Sequence, residues 1–172
     1  KKVFDVVLSR MRDSSITNEK VLEPFFMSQD KISDEALVIA MKQFRTQDNQ
    51  LAKYILSKYY LMNNNDQSIP NYSEIHLEHV LPQQPSQWIE NNYFDIPPGT
   101  QIKDHVYNLG NMTLLRKQIN QKIKNSIFDV KLKEFSGSSF EHTESIYQRG
   151  KDGHKWNHLW IQERADLIAN IS

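Results

Sequence analysis

Apolar and polar positions along this chain follow two rhythms, a helical one towards both ends and a short strand-like one between them. Val3, Val6, Val7 and Met11 recur at helical spacing. A second helical segment covers residues 18–27, where Pro24 in mid-pattern forces a kink or break. Ser33 is placed to cap a helix over residues 34–45, with Leu37, Met41 and Phe44 as its stripe. Asp34 and Glu35 suit the positive end of that helix's dipole. Leu51, Tyr54, Ile55, Tyr59 and Met62 share one face of a helix over residues 49–62. These stripes predict core, and the polar run 63–71 predicts a loop.

After that loop the period changes. Ile75, Leu77, Val80 and Leu81, closed by Pro82, predict a buried strand. The long connection 82–108 is expected to hold one short helix that turns Trp88 and Phe94 inward, then a turn at 95–100. A second strand covers 112–115, preceded by Gly110 as a tight turn, and helices follow over 117–125 and 127–135. Ser136-Gly137-Ser138-Ser139 reads as a break and residues 149–153 as a polar turn. A last helix over 154–171 carries Trp156, Leu159, Trp160, Leu167 and Ile171 on one side. The expected organisation is a helical part at 1–71, a hairpin-bearing centre at 72–135 and a helical part at 136–172.

Glu78 and His79 do not fit the first strand as packing residues. Neighbours on a strand point to opposite faces, so both cannot avoid the core. An unpaired buried charge costs several kcal/mol or is neutralised. A site, rather than packing, is the expected reason for this pair.

Composition narrows the class. The chain has 172 residues, 38% hydrophobic and 24% charged, as in an ordinary globular protein. No apolar run approaches a membrane span. The start, Lys1-Lys2-Val3-Phe4-Asp5, lacks an initiator Met and a signal-peptide apolar region, and reads as a cut from a longer protein. The absence of cysteine excludes disulfides and thiolate zinc sites, and fits a reducing compartment. Net charge is zero, from 21 basic and 21 acidic side chains, which counts mildly against nucleic acid. Distribution changes that picture: Arg116, Lys117, Lys122, Lys124, Lys131 and Lys133 face a single acid, Asp129, between residues 116 and 133. Such a stripe can hold phosphates, although a solvated helix face explains Lys131 and Lys133 equally well.

Three motifs, Ile75-His76-Leu77-Glu78-His79-Val80-Leu81-Pro82, Leu109-Gly110-Asn111-Met112-Thr113-Leu114-Leu115, and the "N…NSIF…K" run after Asn120, together resemble an HNH nuclease, the ββα-metal or His-Me finger. The match is closer still to the C-terminal nuclease domain of GmrSD-type restriction and phage-defence enzymes, strongest from Tyr72 to Phe135. The fold this implies is α+β and mostly helical, a ββα-metal core with a two-stranded antiparallel hairpin and packed N- and C-terminal helices.

The resemblance places an acid-His pair at the end of the first strand, an Asn on the second and a ligand on the following helix. Here those are Glu78-His79, Asn111 and Asn120. His79 is then the general base, with an ordinary pKa near 6.5 that leaves it basic at neutral pH. Glu78 and Asn120 are the protein ligands of Mg²⁺ or Mn²⁺, hard ions that keep several waters. Asn111 accepts a hydrogen bond from the His79 ring and fixes its tautomer. His76 shares a strand face with Glu78 and reads as a third ligand, suited to Mn²⁺ or Zn²⁺, or as a polar residue on a half-solvated face, or as a phosphate contact. Asn125 lies about 140° round the helix from Asn120 and reads as a cap, although the family has an Asn there too. Arg116, Lys117, Lys122 and Lys124 are the expected phosphate contacts, Arg116 foremost for its fork.

The activity implied is DNA endonuclease, nicking or cutting both strands and leaving 5′-phosphate and 3′-hydroxyl ends. The implied setting is a bacterial cytoplasm, with an N-terminal ParB/sulfiredoxin-like, nucleotide-using domain that senses DNA modification and lies outside these residues. A catalytically silent DNA-binding scaffold and an RNase of the same fold are the competing readings. His154 and His158, at i and i+4, lack the Glu of a zinc-protease motif and read as solvated or DNA-facing. His105 and His142 are placed in loops, without a role.

Overall fold

Met112-Thr113-Leu114-Leu115 carries no charge, as a strand with both faces covered requires. In the structure, a computed structural model, it is covered on both. The residues described are 34–63, 71–123 and 125–170. The stripe of Val3, Val6, Val7 and Met11, the segment 18–27, the cap at Ser33, Lys124 and Ile171 lie outside them. The chain divides into two compact units, residues 1–37 and 38–172, and every element from Asn49 onward belongs to the second.

Strand β1 (Ile75–His79) pairs antiparallel with β2 (Met112–Arg116), Ile75 opposite Arg116, Leu77 opposite Leu114 and His79 opposite Met112. The fold is mixed and mostly helical around this two-stranded hairpin. Helices α1 (Asp34–Lys42) and α2 (Asn49–Asn63) precede β1, and the short α3 (Ser86–Glu90) and α4 (Ile102–Val106) lie between the strands. After β2 come α5 (Lys117–Ile123), α6 (Phe128–Phe135), α7 (Glu141–Lys151) and α8 (His158–Ala169). Ile75, Met112 and Leu114 pack with Ala52 and Leu56 of α2 and Ile168 of α8. Leu115 belongs to a second cluster, with Leu81, Trp88, Trp156, Trp160 and Ile161. Alternation along β2 thus feeds two cores.

A two-stranded sheet has two open edges, and here polar side chains close both. On β1 the outward carbonyls of Leu77 and His79 accept from Asn120 Nδ2 at 2.9 Å and Lys131 Nζ at 2.6 Å. On β2 those of Met112 and Leu114 accept from the Arg164 guanidinium at 2.9 Å and Thr143 Oγ1 at 2.7 Å. Arg164 also donates to the carbonyls of Gly110 and His142.

Several expectations shift. The helix after residue 34 ends at Lys42 rather than 45, because Arg45 leaves it to bridge to Asn108. β1 stops at His79, and Val80 and Leu81 turn inward under bonds to Asn111. Gly110 is required by close approach rather than by a turn: a Cβ there would lie 2.0 Å from the Ile161 carbonyl oxygen. The helix α7 was not expected, because its buried face is His142, Thr143, Ile146 and Gly150, helically spaced but mostly polar or small. It runs into the expected turn at 149–153, ending at Lys151 before the turn at Asp152-Gly153, and Gly150 lets Leu132 pack against it. The last helix begins at His158, not 154, since Asn157 caps it by accepting from the Trp160 N–H at 2.9 Å. His154 and His158 therefore share no helix, and Leu159 and Leu167 are exposed rather than core. His105 and His142 lie in α4 and α7, not in loops.

Candidate active site

The end of β1, the start of α2 and the α5–α6 turn enclose a polar cleft of about 200 Å³. Asn49, Leu77, Glu78, His79, Pro82, Gln83, Asn120 and Asn125 line it. Glu78, His79 and Asn120, distant in sequence or type, thus meet in one place. A larger cleft of about 420 Å³, between Tyr59, Tyr60, His142, Trp160 and Arg164, contains none of that set.

His79 is 7% exposed, and its Nε2 is buried without a hydrogen-bond partner. The ring is held instead by an edge-to-face contact with Tyr107, centroids 6.3 Å apart. Burial, reinforced by the nearby Lys131 ammonium, pulls its pKa down to about 4. The imidazole is therefore neutral at pH 7, and its Nε2 has no hydrogen-bond partner.

Glu78 is 6% exposed, and its Oε1 sits 2.5 Å from Nζ of Lys131, which is fully buried. Burial pushes the Glu78 carboxyl up and the Lys131 ammonium down, and their mutual attraction opposes both shifts. Lys131 was expected either in a phosphate-holding stripe or on a solvated face. Its position could have been read from the apolar stripe of α6, where Phe128, Lys131 and Phe135 are all buried. A lysine within a core stripe is the signal. Lys133, by contrast, is exposed as expected.

Asn120 donates through Nδ2 to the Leu77 carbonyl. A carbonyl can only accept, so the amide is oriented and its Oδ1 is left over for another partner. Asn125 is exposed at the rim. Asn49 and Gln83 line the same cleft and carry no sequence signal beyond their polarity.

Asn111 is placed differently from its expected role. It is fully buried, with Oδ1 accepting from Leu81 N–H at 2.8 Å and Trp156 Nε1–H at 3.0 Å. Its Nδ2 donates to the carbonyls of Leu81 and Val106. The amide is saturated, and the expected contact with the His79 ring is not among these bonds. Asn111 instead pins the chain just after the Glu78-His79 pair. His76 is half-buried on β1 and does not line the cleft. Arg116, Lys117 and Lys122 are exposed, Lys122 only 3.7 Å from Glu134, a surface pair of little strength.

No group of three or more His, Asp or Glu side chains fit to hold a metal occurs among the described residues. A cage of acids or imidazoles is thus not what the cleft offers. The donors it does offer, the second oxygen of Glu78 and the Oδ1 of Asn120, suit a hard divalent ion that keeps most of its waters. His79, whose Nε2 has no hydrogen-bond partner, lines the same cleft.

Across residues 29–171 the chain matches the family model of GmrSD restriction endonucleases, C-terminal domain. No curated protein and no solved structure matches the chain significantly.

Proposed function

The chain belongs to the C-terminal domain family of the GmrSD restriction endonucleases, and we propose that it is a metal-dependent DNA endonuclease of the HNH, ββα-metal type. The observation that carries this reading is the neutral imidazole of His79, its Nε2 without a hydrogen-bond partner, on a residue that lines the same cleft as Glu78 and Asn120.

His79 takes a proton from a water, whose oxygen attacks phosphorus. The bond to the 3′ oxygen breaks, and that oxygen leaves with the electron pair and takes up a proton from solvent, giving 5′-phosphate and 3′-hydroxyl ends. Glu78 and Asn120 would hold Mg²⁺ or Mn²⁺, which would supply charge stabilisation as negative charge develops. Asn111 acts through the backbone, fixing the turn that follows His79. Arg116, Lys117 and Lys122, with Asn125 at the rim, contact the DNA backbone and position it without reading sequence. His76 lies off the cleft and serves at most as a further phosphate contact.

The wider setting belongs to the same proposal. A ParB/sulfiredoxin-like domain of the same protein senses modified DNA using nucleotide, and this part cuts, in a bacterial cytoplasm. Among the described residues no helix is long and apolar enough to cross a membrane.

Nicking of supercoiled plasmid with Mg²⁺ or Mn²⁺ tests the reading. His79→Ala should cut at least about 100-fold more slowly than the native chain. Equal cutting by both removes His79 as the base. Cleavage of RNA in place of plasmid points to the RNase.

A further inference from the structure

Packing alone does not account for Lys131. Phe128 and Phe135 flank it on the buried face of α6, and an apolar side chain there would complete the stripe with no ion to desolvate. The chain instead keeps an ammonium with no exposed surface, held by two contacts. One is Oε1 of Glu78 at 2.5 Å, the other the carbonyl of His79 at 2.6 Å. Both residues line the cleft, and one cation ties the side chain of the first to the main chain of the second.

We propose that Lys131 is the positioning residue of the site: it braces the Glu78 carboxylate by one oxygen, leaving the other for a divalent cation, and weakens that cation's binding by its own charge. The inference rests on the nuclease reading above. Glu78 has two oxygens and Lys131 engages one. An unbraced carboxylate would rotate freely between cleft and core, and β1 would lose the bond that fixes its last carbonyl. The ammonium and the incoming ion are like charges across one carboxylate, in a place with little water to screen them.

Positioning and repulsion have opposite signatures. Removing Lys131 should tighten cation binding while slowing cleavage, whereas loss of a merely structural residue weakens both. Mn²⁺ alone is titrated calorimetrically into the full chain and its variants, and plasmid nicking is measured alongside. Lys131→Met is expected to bind Mn²⁺ about tenfold more tightly or better, yet to nick at least about tenfold more slowly. Unchanged or weaker Mn²⁺ binding overturns the proposal, as does undiminished nicking. Should Lys131→Met not fold, Lys131→Gln keeps a donor and drops the charge. It too must bind Mn²⁺ more tightly, and failure to do so overturns the proposal. Glu78→Gln separates the two levels. Loss of Mn²⁺ binding there, with no gain in the Lys131 variants, sinks only the role of Lys131. Native Mn²⁺ binding by Glu78→Gln sinks the cation site itself.

Discussion

The ring of His142 lies in α7 among Tyr59, Tyr60 and Phe140, with its Nε2 bonded to nothing. Burial, helped by the Arg164 guanidinium, lowers its pKa to about 3, against 6.5 for an exposed imidazole. Between those values the unfolded chain binds the extra proton. The contribution of His142 is therefore complete above pH 6.5 and is lost as pH falls towards 3, by up to about 1.4 kcal/mol per pH unit. Denaturant midpoints measured between about pH 6.5 and pH 5 should fall, and His142→Leu should remove one proton's share of that slope. His79 shifts in the same direction and keeps its own share in the variant. Single residues were the level at which the sequence spoke most unevenly. The Glu78-His79 pair was conspicuous because charge in an apolar strand violates packing. Lys131 was missed because a lysine among lysines looks like surface until its helical phase against Phe128 and Phe135 is counted.

The hairpin shows what elements add. Four outward carbonyls, two on each strand, are closed by side chains from α5, α6, α7 and α8. Two of the closing residues, Asn120 and Lys131, also reach the cleft or its carboxylate, so edge closure and site construction share the same side chains. Arg164 and Thr143 serve the other edge, and the Arg164 guanidinium also lies over the Trp156 ring, 5.8 Å from its centroid. Arg164→Met should orphan the carbonyls of Gly110 and Met112, take one of its partners from that of His142, and destabilise the fold by about 3–5 kcal/mol. Chemical denaturation checks this, and Mn²⁺ affinity should be untouched in the folded variant. Strands and long helices were readable because their apolar periods are strong. α7 was not, since its buried face presents an imidazole, a hydroxyl and a glycine where an apolar stripe is sought. Asn111 sits in the turn just before β2, and its bonds to Leu81, Val106 and Trp156 are not legible in the sequence, because spacing locates an amide without saying which way it turns.

For the molecule as a whole, zero net charge leaves DNA binding to local charge. Arg116 and Lys117 are exposed side by side where β2 runs into α5, the helix that carries Asn120. Replacing both by alanine should weaken DNA binding similarly for all sequences and lower the salt slope by about 2. Fluorescence anisotropy across a salt series reads both. The central claim is that β1 and α5 bring a carboxylate and an amide oxygen to one cation beside a neutral imidazole. Anomalous diffraction from crystals soaked in Mn²⁺ tests this most directly. A peak about 2–2.5 Å from a Glu78 carboxylate oxygen and from Asn120 Oδ1 is the predicted result. A peak away from both residues, or none at Mn²⁺ concentrations that support cleavage, would contradict it.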